Sequence, residues 1–274
     1  AVDSQASSPG IDIRGAALDS SGMFEISFIP AFKDNYIWLL TRGKRAFVVD
    51  PGDASPVIAR LEADDLTLEG ILITHHHADH QGGVAELKAR WPVEVHAPAN
   101  ESITGCTRPL SGGEQIDVLG QTVAVMAVPG HTLGHLAYHA PGALFCGDTL
   151  FGAGCGRLFE GSPEQMSASL DSIAALPDDT LVYCAHEYTE MNLRFAQAVE
   201  PENAVLRARV AKVAALRAAG LPSVPLMLSE EKATNPFLRC AEPAVIAAAE
   251  KQNAAVDRKK AAIFKVIRHW RNDF

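Results

Sequence analysis

No stretch of about 18 consecutive apolar residues occurs in this sequence, so a membrane-spanning helix is not expected. Cysteine is scarce: there are five, an odd number, with no Cys-x-x-Cys pair. That argues against a disulfide framework and fits a reducing, cytoplasmic compartment. Basic residues are also short, with 24 Lys and Arg against 33 Asp and Glu and a net charge of -9. A nucleic-acid partner is therefore not expected, because phosphate binding usually needs a basic face. There is no Gly-x-Ser-x-Gly elbow, and Gly82-Gly83 does not have the form of a phosphate loop. Those two glycines are expected to let two backbone segments approach closely. Residues 1–22 hold no apolar run and no basic start, so they read as neither a secretory signal nor a transit peptide. They are expected to form a flexible leader, with the natural start near Met23.

What is present is an ordinary globular balance: 274 residues, 47% hydrophobic and 21% charged, enough for one large domain or two smaller ones. Short β-rich runs occupy residues 24–30, 36–41 and 45–50, the last closing in the turn Asp50-Pro51-Gly52-Asp53. The apolar run GILIT at 70–74 is of buried-strand type, and further strands are expected at 93–97, 122–129, 143–146 and 180–184. A short helix is expected at 56–63, and Ser162-Pro163-Glu164-Gln165 reads as a helix start. After about Tyr188 strands are expected to stop. The segments 192–199, 204–219, 230–233 and 243–270 are Ala-rich and helical. The chain thus divides into an α/β region at 23–187 and an all-helical region at 188–274.

The strongest chemical signal is Thr74-His75-His76-His77-Ala78-Asp79-His80, straight after an apolar strand. Read as His-x-His-x-Asp-His, it offers four metal-type donors within six residues. A regular helix would put His75 and His77 about 200° apart, so a loop is expected there. His131, Asp148 and His186 each follow an apolar run, where an α/β scaffold displays functional side chains. The full set, His75, His77, Asp79, His80, His131, Asp148 and His186, suits two cations with one carboxylate between them. A single histidine elsewhere carries no such weight. His76, His135 and His139 are read as local hydrogen-bonding groups, and His96 and His269 as surface or packing residues.

THHHADH, PGHTLGH, CGDTLF and AHEYT resemble the metallo-β-lactamase superfamily. Within it, FKDNYIWLL, GCGRLFEG, NPFLR and the terminal RHWRNDF are similar to the glyoxalase II (hydroxyacylglutathione hydrolase) family, over roughly residues 23–274. The resemblance implies an αββα sandwich followed by a helical substrate-binding domain. It also implies one metal on His75, His77 and His131 and another on Asp79, His80 and His186, bridged by Asp148 and a hydroxide. Zinc is the first expectation for both ions, with iron or manganese as alternatives. Asp79 and Asp148 would then be the catalytic carboxylates.

Thioester hydrolysis suits this equipment. A divalent cation lowers the pKa of its water from ~15.7 to ~7 and can stabilise an oxyanion. A thiol leaving group with a pKa of ~8.5 departs without strong acid help. Cys155 could be offered as a nucleophile, but it lies between Gly154 and Gly156 and has no assigned base, so it is read as part of a tight loop. The substrate implied by the resemblance, a glutathione thioester, is anionic. Residues 256–274 hold Arg258, Lys259, Lys260, Lys265, Arg268 and Arg271 against Asp257 and Asp273. Charge alone equally fits a solvated helix face. The resemblance places Arg268 and Arg271 at the glutathione glycine carboxylate, although Asn272 stands where the family pattern has Asp. It likewise makes Tyr188 and Arg157 substrate contacts, while Phe159 lacks the hydroxyl that some members carry there.

The expected reaction is hydrolysis of S-(2-hydroxyacyl)glutathione to glutathione and a 2-hydroxy acid such as D-lactate, in methylglyoxal detoxification by a monomer. The alternative is a mononuclear-iron persulfide dioxygenase, or another hydrolase, of the same superfamily. The extended helical carboxyl-terminal part weighs against the dioxygenase.

Overall fold

A computed structural model describes residues 23–274, and the expected leader lies outside the described residues. The first sheet contains β1 (Glu25–Ala31), β2 (Asn35–Arg42), β3 (Arg45–Val49), β4 (Thr67–Leu72), β5 (Glu94–Pro98) and β6 (Arg108–Leu110), in that order. From β3 onward its pairs are parallel. Helices α1 (Ala54–Ala63), α2 (Ala78–Gln81) and α3 (Val84–Arg90) lie in the crossovers. Strands β7 (Gln115–Val118), β8 (Gln121–Ala127), β9 (Leu136–Ala140) and β10 (Ala143–Gly147) build most of the second sheet. The hairpin β11 (Leu150–Phe151) and β12 (Gly154–Cys155), helix α4 (Pro163–Ala174) and β13 (Leu181–Cys184) follow. Strand β13 returns parallel to β10.

Strand β2 explains the layering. Its side chains alternate between faces, as a strand requires. Ile37 and Leu39 join Val57 and Leu61 of α1 and Val84 and Leu87 of α3 in an outer core. Trp38 and Leu40 point the other way, into a core shared with Val125, Tyr138 and Phe145 of the second sheet. Because both faces are covered, the strand reads as a continuous apolar run. This is the α/β sandwich expected from the resemblance.

Helices α5 (Thr189–Val199), α6 (Ala204–Ala218), α7 (Leu228–Thr234), α8 (Pro243–Gln252) and α9 (Lys260–Asp273) make up most of the remainder. Phe195, Phe237, Phe264 and Ile267 from this part belong to the same core as Phe145, so it packs directly on the sandwich. Helix α4 starts as expected: Ser162 and Gln165 form a reciprocal cap.

Two expectations need correction. Strands do not stop at Tyr188, because β14 (Leu226–Met227) pairs antiparallel with β13 and forms the outer edge of the second sheet. Two residues are too few to carry an alternating pattern. The helix expected across 243–270 is two helices. The Asn253 side chain accepts from Ala255 N at 3.1 Å, a turn that competes with helix continuation.

Candidate metal centre

The donors converge where strands end. His75 and His77 leave the loop after β4, His131 the loop after β8, Asp148 the end of β10, and His186 the end of β13. The loop expected at 75–77 is irregular, but Asp79 and His80 sit on the single turn α2. Close packing of backbone makes this possible. At Gly147, with φ +49°, a Cβ would lie 2.3 Å from Thr74 Oγ1, so only glycine lets β10 meet the β4 loop. A Cβ on Gly82 would lie 2.6 Å from Gly52 O, which is the approach expected at Gly82-Gly83, here against the 50–53 turn.

The expected donors form two triplets, His75/His77/His131 and Asp79/His80/His186, and two further groups, Asp50/His75/His80 and His76/Glu101/Glu160, gather beside them. In the first, His77 Nδ1 lies 2.9 Å from His75 Nε2 and 3.0 Å from His131 Nε2. In the second, Asp79 Oδ2 lies 3.4 Å from His80 Nε2 and 3.5 Å from His186 Nε2. Asp148 stands between them. Its Oδ2 is 3.4 Å from His131 Nε2, while its Oδ1 is 3.5 Å from His80 Nε2 and 3.3 Å from His186 Nε2. Donors sharing one tetrahedral ion at about 2.1 Å should lie about 3.4 Å apart, which the second triplet and Asp148 meet, while the 2.9 and 3.0 Å spacings of the first triplet are those of hydrogen bonds and would widen around an ion.

The hydrogen bonds point the same way. Asp50 Oδ2 and His80 Nδ1 are 3.0 Å apart, and a carboxylate only accepts, so the ring proton belongs on Nδ1. That aims His80 Nε2 at Asp79 and Asp148. Both His80 Nε2 and Asp148 Oδ1 are buried without a hydrogen-bond partner. A buried lone pair among carboxylates calls for a positive charge. Burial alone would lower the His80 pKa, but Asp148 and Asp50 outweigh it and hold it well above the ordinary value, so Nε2 carries a proton unless a cation takes that place. Burial would likewise raise the Asp148 carboxyl, yet His80 and His186 keep it far below the carboxylate range. Burial lowers His75, His77 and His131, leaving them neutral, the form in which imidazole binds metal.

Sequence reasoning missed the groups that aim these donors. Asp50 accepts from Thr74 N at 2.8 Å and Thr74 Oγ1 at 2.7 Å as well as facing His80. Asp34 Oδ1 lies 2.9 Å from His186 Nδ1, and Asn35 Nδ2 donates to Asp79 Oδ2 at 3.0 Å. In the sequence Asp50 reads only as a turn residue, and Asp34-Asn35 only as part of the FKDNYIWLL motif. His135 Nε2 accepts from Asp148 N at 3.2 Å, and His76 Nε2 meets Glu160 Oε1 at 2.6 Å, the local roles expected for both.

Two matches with family models divide most of the described chain. Residues 32–186 match the metallo-beta-lactamase superfamily, and residues 187–274 match the hydroxyacylglutathione hydrolase C-terminus. A hydroxyacylglutathione hydrolase of Dechloromonas aromatica (strain RCB) is 79% identical over 265 residues, covering 92% of this chain and all of that protein. The chain belongs to the hydroxyacylglutathione hydrolase family. Solved structures carry the same fold. ETHE1 from Myxococcus xanthus aligns with a TM-score of 0.62 at 24% identity, over 90% of this chain and 98% of that one. TTHA1623 in a di-iron-bound form aligns with a TM-score of 0.50 at 28% identity, over 59% and 91%.

Of the residues expected to contact substrate in this member of the hydroxyacylglutathione hydrolase family, Tyr188 lies on the flank of the second triplet. The Tyr188 ring stacks on His186, with centroids 4.7 Å apart and planes 4° apart. Phe151 packs against both rings. The Arg268 guanidinium lies over the Phe237 ring and donates to Cys155 O at 3.3 Å and to Asn272 Oδ1 at 2.6 Å. Arg271 donates to Asn192 Oδ1 at 3.3 Å. Arg268 is 7% exposed, which excludes the solvated-face reading for it. Arg157 stands apart, over the Phe159 ring on the flank of the first triplet. Cys155 is buried and its thiol is pushed up to about 11 by that burial, which suits a packing role.

Proposed function

We propose that the chain hydrolyses S-(2-hydroxyacyl)glutathione, with S-D-lactoylglutathione as the natural type, to glutathione and D-lactate. The observation that carries this reading is Asp148, whose two oxygens face different donor triplets. His75, His77 and His131 would hold one divalent ion, and Asp79, His80 and His186 a second, with Asp148 contributing to both. Bound there, such ions would supply Lewis acidity and a water of lowered pKa. Zinc is our first choice, with iron or manganese as alternatives, since all accept imidazole and carboxylate.

The chain's own groups do the rest. Arg268 and Arg271, paired on α9, would grip the glycine carboxylate of the substrate with charge-assisted hydrogen bonds. Tyr188 and Arg157 would flank the thioester from the two sides of the centre. A thiolate leaves readily, so the reaction needs no strong acid. We also place the protein in the cytoplasm, as a monomer, and its five free cysteines support a reducing compartment. The persulfide dioxygenase alternative is not favoured, because residues 187–274 match the hydrolase-specific carboxyl-terminal part. The test is metal-loaded protein offered S-D-lactoylglutathione, glutathione persulfide and nitrocefin in parallel. Thiol release from the first alone supports the reading. Oxygen uptake with the second or cleavage of the third, without thiol release, would overturn it.

A further inference from the structure

The first triplet is split between two loops, and one carboxylate joins them. Glu101 lies between β5 and β6. Its Oε2 accepts from His76 N at 2.7 Å, within the segment that carries His75 and His77. Its Oε1 accepts from Thr132 Oγ1 at 2.5 Å and Gly134 N at 2.9 Å, just after His131. The fit is close: a Cβ on Gly134 would lie 2.6 Å from Glu101 Cγ. Glu160 adds a second tie between the same loops, to His76 Nε2 at 2.6 Å and Leu133 N at 3.0 Å.

We propose that Glu101 is the positioning residue that sets the His75/His77 loop against the His131 loop, and so fixes the affinity of the first triplet for its cation. All three partners of the carboxylate are donors, so a group that only accepts is required. Glutamine would have to turn its NH2 toward His76 N or toward the Thr132 and Gly134 pair, and lose at least one tie. The second triplet takes no contact from Glu101. It is aimed by Asp34, Asn35 and Asp50 instead. Loss of the clamp should therefore loosen one ion and spare the other. A role in general loop support would weaken both or neither.

This inference rests on the two-ion reading, and the experiment separates the two. Metal-free wild type, Glu101→Gln, Glu101→Ala and Thr132→Val are titrated with zinc against a competing chelator, which yields two stepwise binding constants. Wild type should take up two ions. In Glu101→Gln one constant should weaken about tenfold to a hundredfold while the other stays within about threefold. Glu101→Ala should do the same or more, and Thr132→Val less. Equal weakening of both ions, or unchanged constants in both Glu101 variants, would overturn the clamp. Wild type binding a single ion would overturn the two-ion reading beneath it. Glu101→Gln keeps the shape of the side chain, so the result stands even if Glu101→Ala fails to fold.

Discussion

Behind the second donor triplet stand side chains from two distant turns, and behind the first stand mostly neutral groups. His186 and His80 each face a carboxylate through Nδ1, at 2.9 Å from Asp34 and 3.0 Å from Asp50. His131 Nδ1 instead meets Arg157 O at 2.8 Å, and His75 Nδ1 meets Thr74 Oγ1 at 3.0 Å. A carboxylate behind an imidazole raises its basicity and fixes its ring. The second triplet also contains its own carboxylate, Asp79. The two halves of one centre thus differ in how negative charge is supplied. The second should hold its cation more tightly, and the first should depend on the loops that carry it.

The largest effect should come from the residue common to both halves. Asp148→Ala should lower kcat/KM for the glutathione thioester by about a thousandfold and weaken both ions. Near-normal turnover in that variant would remove the shared carboxylate from the account.

Asp50→Ala sharpens the comparison. It should weaken the tighter binding step about tenfold to a hundredfold, and the other step less, since Asp50 reaches His75 only through Thr74. It also leaves Thr74 N and its hydroxyl without their buried acceptor, at a cost of about 1–3 kcal/mol, seen as a lowered melting temperature of the metal-free protein. If the weaker step moves instead, the assignment of tight and loose halves is reversed.

Arg268→Ala and Arg271→Ala lie outside both triplets. Each should raise KM about tenfold to a hundredfold with small change in kcat and no change in metal uptake. A small thioester without glutathione carboxylates should be hydrolysed alike by wild type and variants. Equal loss with both substrates would mean that α9 shapes the centre rather than the docking of substrate.

His76→Ala should have the smallest effect, below about fivefold in kcat/KM. Its contact with Glu160 is partly exposed, and even a charged pair there would contribute about 0–1 kcal/mol. A loss comparable to that of Asp148→Ala would make His76 part of the centre itself.

The convergence of the seven candidate donors was legible in the sequence because their signal is local. His75 to His80 sit within six residues of one another, and His131, Asp148 and His186 each follow an apolar run. The sandwich was legible in runs such as the one in β2, which is apolar on both faces because both are covered. The aiming groups were not. Asp50 is 30 residues from His80, Glu101 is 25 from His76, and Asp34 is 152 from His186. Their roles come from chain segments meeting in space, and no period or spacing encodes that. For Arg268, a residue that the resemblance singles out, burial was hidden for the opposite reason. Its charge suggests a solvated face, while the packing of α9 buries it against Cys155. Strand β14 escaped because a two-residue pairing partner has no pattern of its own.

The central claim is a centre of two cations held by seven side chains and working as one unit on a glutathione thioester. Its most direct test is stepwise addition of zinc to metal-free protein, with thiol release from S-D-lactoylglutathione measured at each step. The account predicts little turnover up to one equivalent per chain, then a rise that levels off at two. Full turnover at one equivalent, unchanged by the second, would contradict it.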